Sequence, residues 1–153
     1  MRQTTSGQPI LVVEDSDDDY EVTERALLRS GNIANPLARC RTGNEALDYL
    51  LQQGPYAEPD AAPRPALILL DLNMPGLDGR GLLTRIKSDY DLREIPVVVL
   101  TTSDDERDVN ACYELGANSY IRKPVDLDGF YSAIKTMRQF WFEIALLPKE
   151  NGT

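Results

Sequence analysis

The sequence of 153 residues contains no histidine and only two cysteines, Cys40 and Cys112. Without histidine the chain has no histidine-based catalysis, no zinc site led by histidine and no phosphohistidine of its own. The two cysteines are far apart, in apolar or helical surroundings, which favours buried reduced thiols over a disulfide.

The sequence also lacks the segments that would direct it to a membrane or to nucleic acid. No apolar stretch reaches the roughly 18 residues that span a bilayer, and the polar start, MRQTTSGQP, lacks the apolar core of a signal peptide. The formal net charge of −9 and the absence of a long Lys/Arg run argue against nucleic-acid binding. We therefore expect a cytoplasmic protein that binds neither a membrane nor nucleic acid.

What the sequence does contain is an alternation of apolar runs and helix-like segments. The clearest run, Leu67–Leu70, ends at Asp71 and is followed by Pro75-Gly76, as expected of a strand buried on both faces. The other predicted strands are residues 10–13, 36–40, 96–100 and 119–121. Because each strand is followed by a segment with helical spacing, the pattern predicts an α/β fold, a doubly wound five-stranded parallel sheet.

One domain, residues 9–147, accounts for this pattern, with a flexible leader over 1–8 and a tail over 148–153. Residues 52–65, which we call the proline-rich segment, hold four of the ten prolines and are predicted to form an exposed loop. Asp78 is expected to cap the third helix and Gly116 to end the fourth. The last helix is predicted to run from about residue 126 to about residue 147.

Polar residues follow the predicted strands at their carboxyl ends: Glu14 and Asp15, then Asp71, Thr101 and Lys123. These ends meet at one edge of a parallel sheet, so three acids, a hydroxyl and an ammonium group are expected to converge. Clustered carboxylates repel one another unless a cation lies among them, and oxygen ligands suit Mg²⁺. Such a site would allow Asp71 to act as a nucleophile toward a phosphoryl group.

Four stretches resemble the motifs of a response-regulator receiver domain, in the right order and at strand ends. They are VVEDS at 12–16, LLDLNMPGLDG at 69–79, LTTS at 100–103 and YIRKP at 120–124. The resemblance covers roughly residues 9–137 and implies the flavodoxin-like fold with strand order 2-1-3-4-5.

For the site, the resemblance implies that Asp71 is the phosphoacceptor and that Glu14 and Asp15 are the acidic pair. The backbone carbonyl of Asn73 completes the protein ligands to Mg²⁺ in this family. The implied reaction is phosphoryl transfer from a sensor histidine kinase. The protein would be a switch that catalyses only its own phosphorylation and dephosphorylation, not an enzyme acting on other substrates.

The resemblance also assigns the residues that respond to the phosphoryl group. Thr101 and Tyr120 match the switch pair, and Lys123 matches the lysine that contacts the phosphoryl group. Pro124 would follow a cis peptide bond, as in the family. Phosphorylation would draw Thr101 inward, let Tyr120 follow, and reshape the surface of the fourth helix, fifth strand and fifth helix.

Three features resemble the single-domain regulators that accompany bacterial phytochromes. Thr102 stands where many receivers carry Ala or Gly, the proline-rich segment is longer than in a minimal receiver, and the chain ends in FWFEIALLP at 140–148. The implied kinase is therefore a bacteriophytochrome. Because only about six residues follow Leu147, the output is expected to be protein contact or onward phosphotransfer.

The end of the last predicted helix carries more apolar surface than one packed face needs. Trp141 and Ile144 continue the inward stripe, whereas Phe140 and Phe142 lie off it. Exposed apolar patches of this kind usually mark contacts. We expect a homodimer interface that includes Phe140, Trp141 and Ile144.

Other functions on the same topology remain as alternatives. A hydrolase with an Asp nucleophile of the haloacid-dehalogenase type wants a second acid two residues after Asp71, where Asn73 stands. A flavin-binding module needs a first loop that cradles phosphate, and Glu14 and Asp15 would repel it. A degenerate receiver that binds partners without phosphate is the last alternative, although every expected site residue is present.

Overall fold

The computed structural model describes residues 8–29, 35–72, 74, 76–101, 106–122 and 127–139. A short 3-10 helix spans Gly54–Tyr56. The strands and helices in chain order are β1 (Ile10–Val13), α1 (Asp17–Arg29), β2 (Leu37–Cys40), α2 (Gly43–Leu51), β3 (Leu67–Asp71), α3 (Gly79–Ser88), β4 (Val97–Thr101), α4 (Glu106–Glu114), β5 (Ser119–Arg122) and α5 (Leu127–Gln139).

The five strands form one parallel sheet in the order β2-β1-β3-β4-β5. This order and the doubly wound arrangement confirm the predicted fold. Some strand ends differ from prediction by one residue: β2 begins at Leu37, β4 runs from Val97 to Thr101, and β5 continues to Arg122. Of the predicted polar residues that the structure describes, Glu14, Asp15, Asp71 and the Thr101 backbone fall at or just beyond the carboxyl ends of the strands.

The core consists of two apolar layers, one on each face of the sheet. Along β3, Ile68 and Leu70 face the layer formed with α2, α3 and α4, whereas Leu67 and Leu69 face the layer formed with α1 and α5. All four side chains are fully buried. The alternation follows the two-residue period of a strand, and it confirms a β3 buried on both faces.

Two predicted helix boundaries have the expected capping contacts. The Asp78 side chain accepts a hydrogen bond from the Gly81 backbone N–H at 2.9 Å, which satisfies a donor in the first turn of α3. Gly116 follows α4 with φ of 104°, a left-handed conformation that glycine adopts at no steric cost. Both predictions are confirmed.

The proline-rich segment is folded against α2 and is not wholly exposed. The Tyr56 hydroxyl donates to Glu45 Oε2 at 2.6 Å, and the Tyr49 hydroxyl donates to the Pro63 carbonyl at 2.8 Å. Ala62 is only 2% exposed. Most residues of the segment are exposed, as predicted, whereas Ala62 and Pro65 are buried, so the prediction is wrong at these two positions. The hydroxyl contacts of Tyr49 and Tyr56 tie the segment to α2.

Cys40 and Cys112 are free and fully buried, as predicted. Burial raises the pKa of the Cys40 thiol to about 12, so the thiol stays neutral. Within the described ranges, no helix combines the length and the apolar character needed to cross a membrane.

Several predictions fall outside the described residues. They concern most of the leader and the tail, the end of the last helix with Phe140, Trp141 and Ile144, and the cis peptide bond before Pro124. These stay predictions.

Candidate metal centre

Three carboxylates converge at the carboxyl edge of the sheet. Glu14, Asp15 and Asp71 each offer an oxygen, and these oxygens all lie within 4.8 Å of one another. Glu14 is 3% exposed and Asp71 is 9% exposed, whereas Asp15 faces solvent. The structure thus brings together the three acids that the sequence analysis placed on this edge.

The register of β1 and β3 explains the convergence of the acids. Val13 pairs with Leu70, so the residues that follow each of them, Glu14 and Asp71, leave neighbouring strands at the same level. Beyond β1, the Glu14 backbone N–H donates to the Cys40 carbonyl at 3.0 Å. This bond extends the parallel pairing of β1 and β2 and fixes the direction in which the chain leaves the sheet.

Arg39 on β2 holds the same turn from the other side. Its Nε and Nη2 atoms donate to the Glu14 carbonyl oxygen at 3.2 and 2.9 Å. Its Nη1 atom lies 2.8 Å from the Asp17 carboxylate, which also pairs with Arg41. The Ser16 backbone N–H donates to Glu14 Oε2 at 3.3 Å. The acidic turn is therefore held by fixed donors. Arg39 and Arg41 were not predicted as site residues, because nothing in the local sequence marks them.

A close backbone approach positions the loop that follows Asp71. The Gly79 N–H donates to the Leu72 carbonyl at 3.0 Å, and a Cβ added at Gly79 would lie 2.6 Å from the Asp71 carbonyl oxygen. A Cβ at Gly43 would lie 2.1 Å from the Leu77 carbonyl oxygen. Only glycine fits at these two positions, so α2 and α3 hold the loop from both sides.

These two glycines were not recognised as site residues from the sequence. Gly79 belongs to the LLDLNMPGLDG stretch, which was a usable signal, whereas nothing local marks Gly43. Asn73, which lies in the loop they hold, is outside the described residues.

The remaining predicted site residues are described only in part. Asp71 pairs with Leu100 and Thr101 pairs with Arg122, so the Thr101 backbone lies at the same edge as Asp71. Its side chain and the whole of Lys123 lie outside the described part of the chain. The Tyr120 side chain is partly buried against the layer formed with α2, α3 and α4.

The donor set fits a hard divalent cation. It offers carboxylate oxygens and no nitrogen or sulfur ligand, which is the chemistry that Mg²⁺ and Mn²⁺ accept. Two of the carboxylates are buried and the third is exposed, so a cation here would be reached from solvent on one side. A cation bound among these carboxylates would reduce the repulsion between their negative charges.

Residues 10–135 match the family described as the response regulator receiver domain. The chain belongs to this family. The response regulator Rcp1 of Synechocystis sp. is 45% identical over 139 residues, which are 91% of this chain and 92% of that protein. The match confirms the family predicted from the four sequence motifs.

Solved structures of relatives agree with this receiver domain over nearly their whole length. The phosphorylated cyanobacterial phytochrome response regulator RcpA is 41% identical with a TM-score of 0.85, covering 94% of this chain and 99% of that one. The Mn²⁺-bound form of Rcp1 is 44% identical with a TM-score of 0.85, covering 93% and 99%. Phytochrome response regulators are thus among the relatives of this receiver domain, as the sequence predicted.

Proposed function

We propose that this receiver domain accepts a phosphoryl group on Asp71 from a sensor histidine kinase, in a Mg²⁺-dependent reaction. The observation that supports this function is the cluster of Glu14, Asp15 and Asp71 at the carboxyl edge of the sheet. Buried like charges are costly, so a site that gathers carboxylates is stabilised by a bound cation, which can also offset the negative charge of an incoming phosphoryl group.

The metal ligands in this proposal are the three carboxylates and the backbone carbonyl of Asn73. Bound Mg²⁺ would neutralise the carboxylates and the oxygens of the incoming phosphoryl group. The donor chemistry of the cluster supports a divalent ion, as does the similarity to Rcp1, which has been crystallised with Mn²⁺. Gly79 and Gly43 would keep the Asn73 loop in place for that role.

Asp71 is the nucleophile of the proposed transfer. One of its oxygens attacks the phosphorus of the kinase's phosphohistidine and forms an O–P bond, while the P–N bond breaks. The imidazole nitrogen leaves with the electron pair and takes up a proton. Lys123 would pair with one phosphoryl oxygen and Thr101 would donate a hydrogen bond to another.

The new dianion would then act as a switch. Thr101 moves toward it and Tyr120 follows into the space that Thr101 leaves, which alters the surface of α4, β5 and α5. The partial burial of Tyr120 against the core supports this role, because its ring cannot move without a change in packing. The protein works as a switch and not as an enzyme on other substrates.

The proposed kinase is a bacteriophytochrome. Support comes from relatives described as phytochrome response regulators, including RcpA, which match nearly the full length of this chain. The protein would act in the cytoplasm, bind neither nucleic acid nor membrane, and form a homodimer through Phe140, Trp141 and Ile144 within the domain 9–147. Light scattering that reports a monomer at micromolar concentration, with and without phosphorylation, would rule out the dimer.

Incubation with acetyl phosphate and Mg²⁺, followed by intact mass measurement, tests the central proposal. Wild-type protein should gain the mass of one phosphoryl group, and Asp71→Asn should gain none because the amide is not a nucleophile. Asp18→Asn is the matched control, since Asp18 is exposed on α1 outside the cluster. Equal modification of wild type and Asp71→Asn would show that Asp71 is not the acceptor.

A further inference from the structure

Helix α4 is held by little apolar burial. Among its described side chains, residues 107–114, only Cys112 is buried. Helix α3 in contrast places Leu82, Leu83 and Ile86 fully in the core. A helix with so few buried side chains has low local stability, so the polar links at its ends carry more weight.

One such link joins the first turns of α3 and α4. Arg80 forms an ion pair with Asp108, and the two side chains are 36% and 31% exposed. The pair lies near Cys112. Burial raises the pKa of the Cys112 thiol, and the charges of the pair also act on it: Arg80 lowers this pKa and Asp108 raises it. The ion pair therefore bridges the two helices close to the buried Cys112.

A second link lies at the other end of the same two helices. Lys87, in the last turn of α3, donates from Nζ to Asn118 Oδ1 at 3.4 Å, just beyond α4. The same ammonium donates to the carbonyls of Arg93 and Ile95, each at 3.0 Å. This end of α4 is attached to a lysine with several fixed partners, and the described residues at the other end include the Arg80–Asp108 ion pair, whose two side chains are partly exposed.

Arg80 is also connected to the carboxyl edge of the sheet. It follows Gly79, whose backbone packs so closely on Asp71 and Leu72 that a Cβ would lie 2.6 Å from the Asp71 carbonyl oxygen. A displacement of the backbone around Asp71 therefore moves the first turn of α3. Asp108 meets that turn directly.

We propose that Arg80 and Asp108 are positioning residues that form a latch between the Asp71 loop and α4. The latch holds the first turn of α4 on α3, while the Lys87 end serves as the pivot. Changes at Asp71 reach α4 through Gly79, Arg80 and Asp108, a contiguous chain of packed and paired groups. The part of this inference that concerns phosphorylation rests on the proposed function.

Amide hydrogen exchange of α4 tests the latch in the unphosphorylated protein, without relying on the proposed function. In Arg80→Gln the α4 amides should exchange up to about fivefold faster, the range of a partly exposed ion pair. The substitution lies on α3, so the intrinsic helicity of α4 is unchanged. Arg85→Gln, an exposed site on the same helix, should leave α4 exchange unaltered, and Arg80→Lys should restore most of the protection. Unchanged α4 exchange in Arg80→Gln would overturn the latch.

Addition of beryllofluoride with Mg²⁺ tests the coupling. In wild type it should change exchange both in residues 72–78 and in α4, and in Arg80→Gln the change in residues 72–78 should persist while that in α4 falls by at least half. An α4 response of wild-type size in Arg80→Gln would overturn the coupling. The Asp71→Asn variant separates the two proposals, because a response in it would contradict the role of Asp71 and leave the unphosphorylated exchange result standing.

Discussion

The two edges of the parallel sheet differ in the surroundings of their buried charges. At the carboxyl edge, Glu14 and Asp71 lie buried within a cluster of like charges that includes Asp15. At the amino edge, the partly buried Lys87 ammonium donates to two backbone carbonyls at 3.0 Å and to Asn118 Oδ1 at 3.4 Å. One edge gathers charges of the same sign, and the other surrounds a single charge with neutral oxygens.

The two edges differ in how far the cost of burying charge is offset within the protein. Burial lowers the pKa of Lys87, which reports a cost of desolvation, and its fixed acceptors offset that cost. At the carboxyl edge the Ser16 N–H donates to Glu14 Oε2 at 3.3 Å, but the three acids repel one another, and in the proposed function a bound cation would offset that repulsion. The amino edge is built for stability and the carboxyl edge for binding, and substitutions at each should therefore have opposite signs.

The largest expected effect is at the amino edge. Lys87→Met keeps the apolar stem but removes the donor to the Arg93 and Ile95 carbonyls, so the free energy of unfolding should fall by about 2 kcal/mol. Urea unfolding measures this change. Lys135→Met, at an exposed site on α5, is the control and should change stability little. Equal stability of the two variants would mean that the Lys87 contacts do not stabilise the amino edge.

A smaller effect of opposite sign is expected at the carboxyl edge. In the presence of a chelator, Asp71→Asn should raise the free energy of unfolding by about 1 kcal/mol, the scale of repulsion between unit charges about 4 Å apart in water-like surroundings. Mg²⁺ should then stabilise wild type more than the variant, because a ligand to the cation is lost. A variant less stable than wild type in chelator would remove the proposed contrast between the edges.

The smallest effect is expected at Asp17, an acid near the carboxyl edge that forms ion pairs with Arg39 and Arg41. Hydrogen bonds from Arg41 and Arg39 lower the pKa of Asp17 below its usual 3.8. Because the folded-state pKa is lowered, the unfolded chain binds the proton more tightly. The stabilisation by Asp17 is present above pH 3.8 and is lost as the pH falls through the lowered value.

Asp17→Asn should therefore be slightly less stable than wild type near neutral pH, and the difference should shrink as the pH falls well below 3.8. Melting temperatures at a series of pH values measure it, with Asp18→Asn as the control. A difference that stays constant over this range would show that the arginines do not stabilise the folded protein through the Asp17 charge.

Local patterns in the sequence are enough to predict the sheet and the position of the acids. Runs such as Leu67–Leu70 have the length and apolar character of doubly buried strands, and the helices between them force the strands to be parallel. In a parallel sheet the residues after each strand share an edge. The convergence of Glu14, Asp15 and Asp71 follows from that rule, and the structure bears it out.

The side-chain contacts between helices could not be predicted from local sequence patterns. Arg80 and Asp108 are 28 positions apart, and Lys87 and Asn118 are 31 positions apart. Their contact depends on the rotation and spacing of α3 and α4 over the sheet, which the packing of all their side chains sets together. A Cβ added at Gly43 would lie 2.1 Å from the Leu77 carbonyl oxygen, and this close approach also results from how the elements pack. The parallel direction of the strands follows from the alternation of strand and helix segments in the sequence. The contacts between helices form only when the helices pack on the sheet.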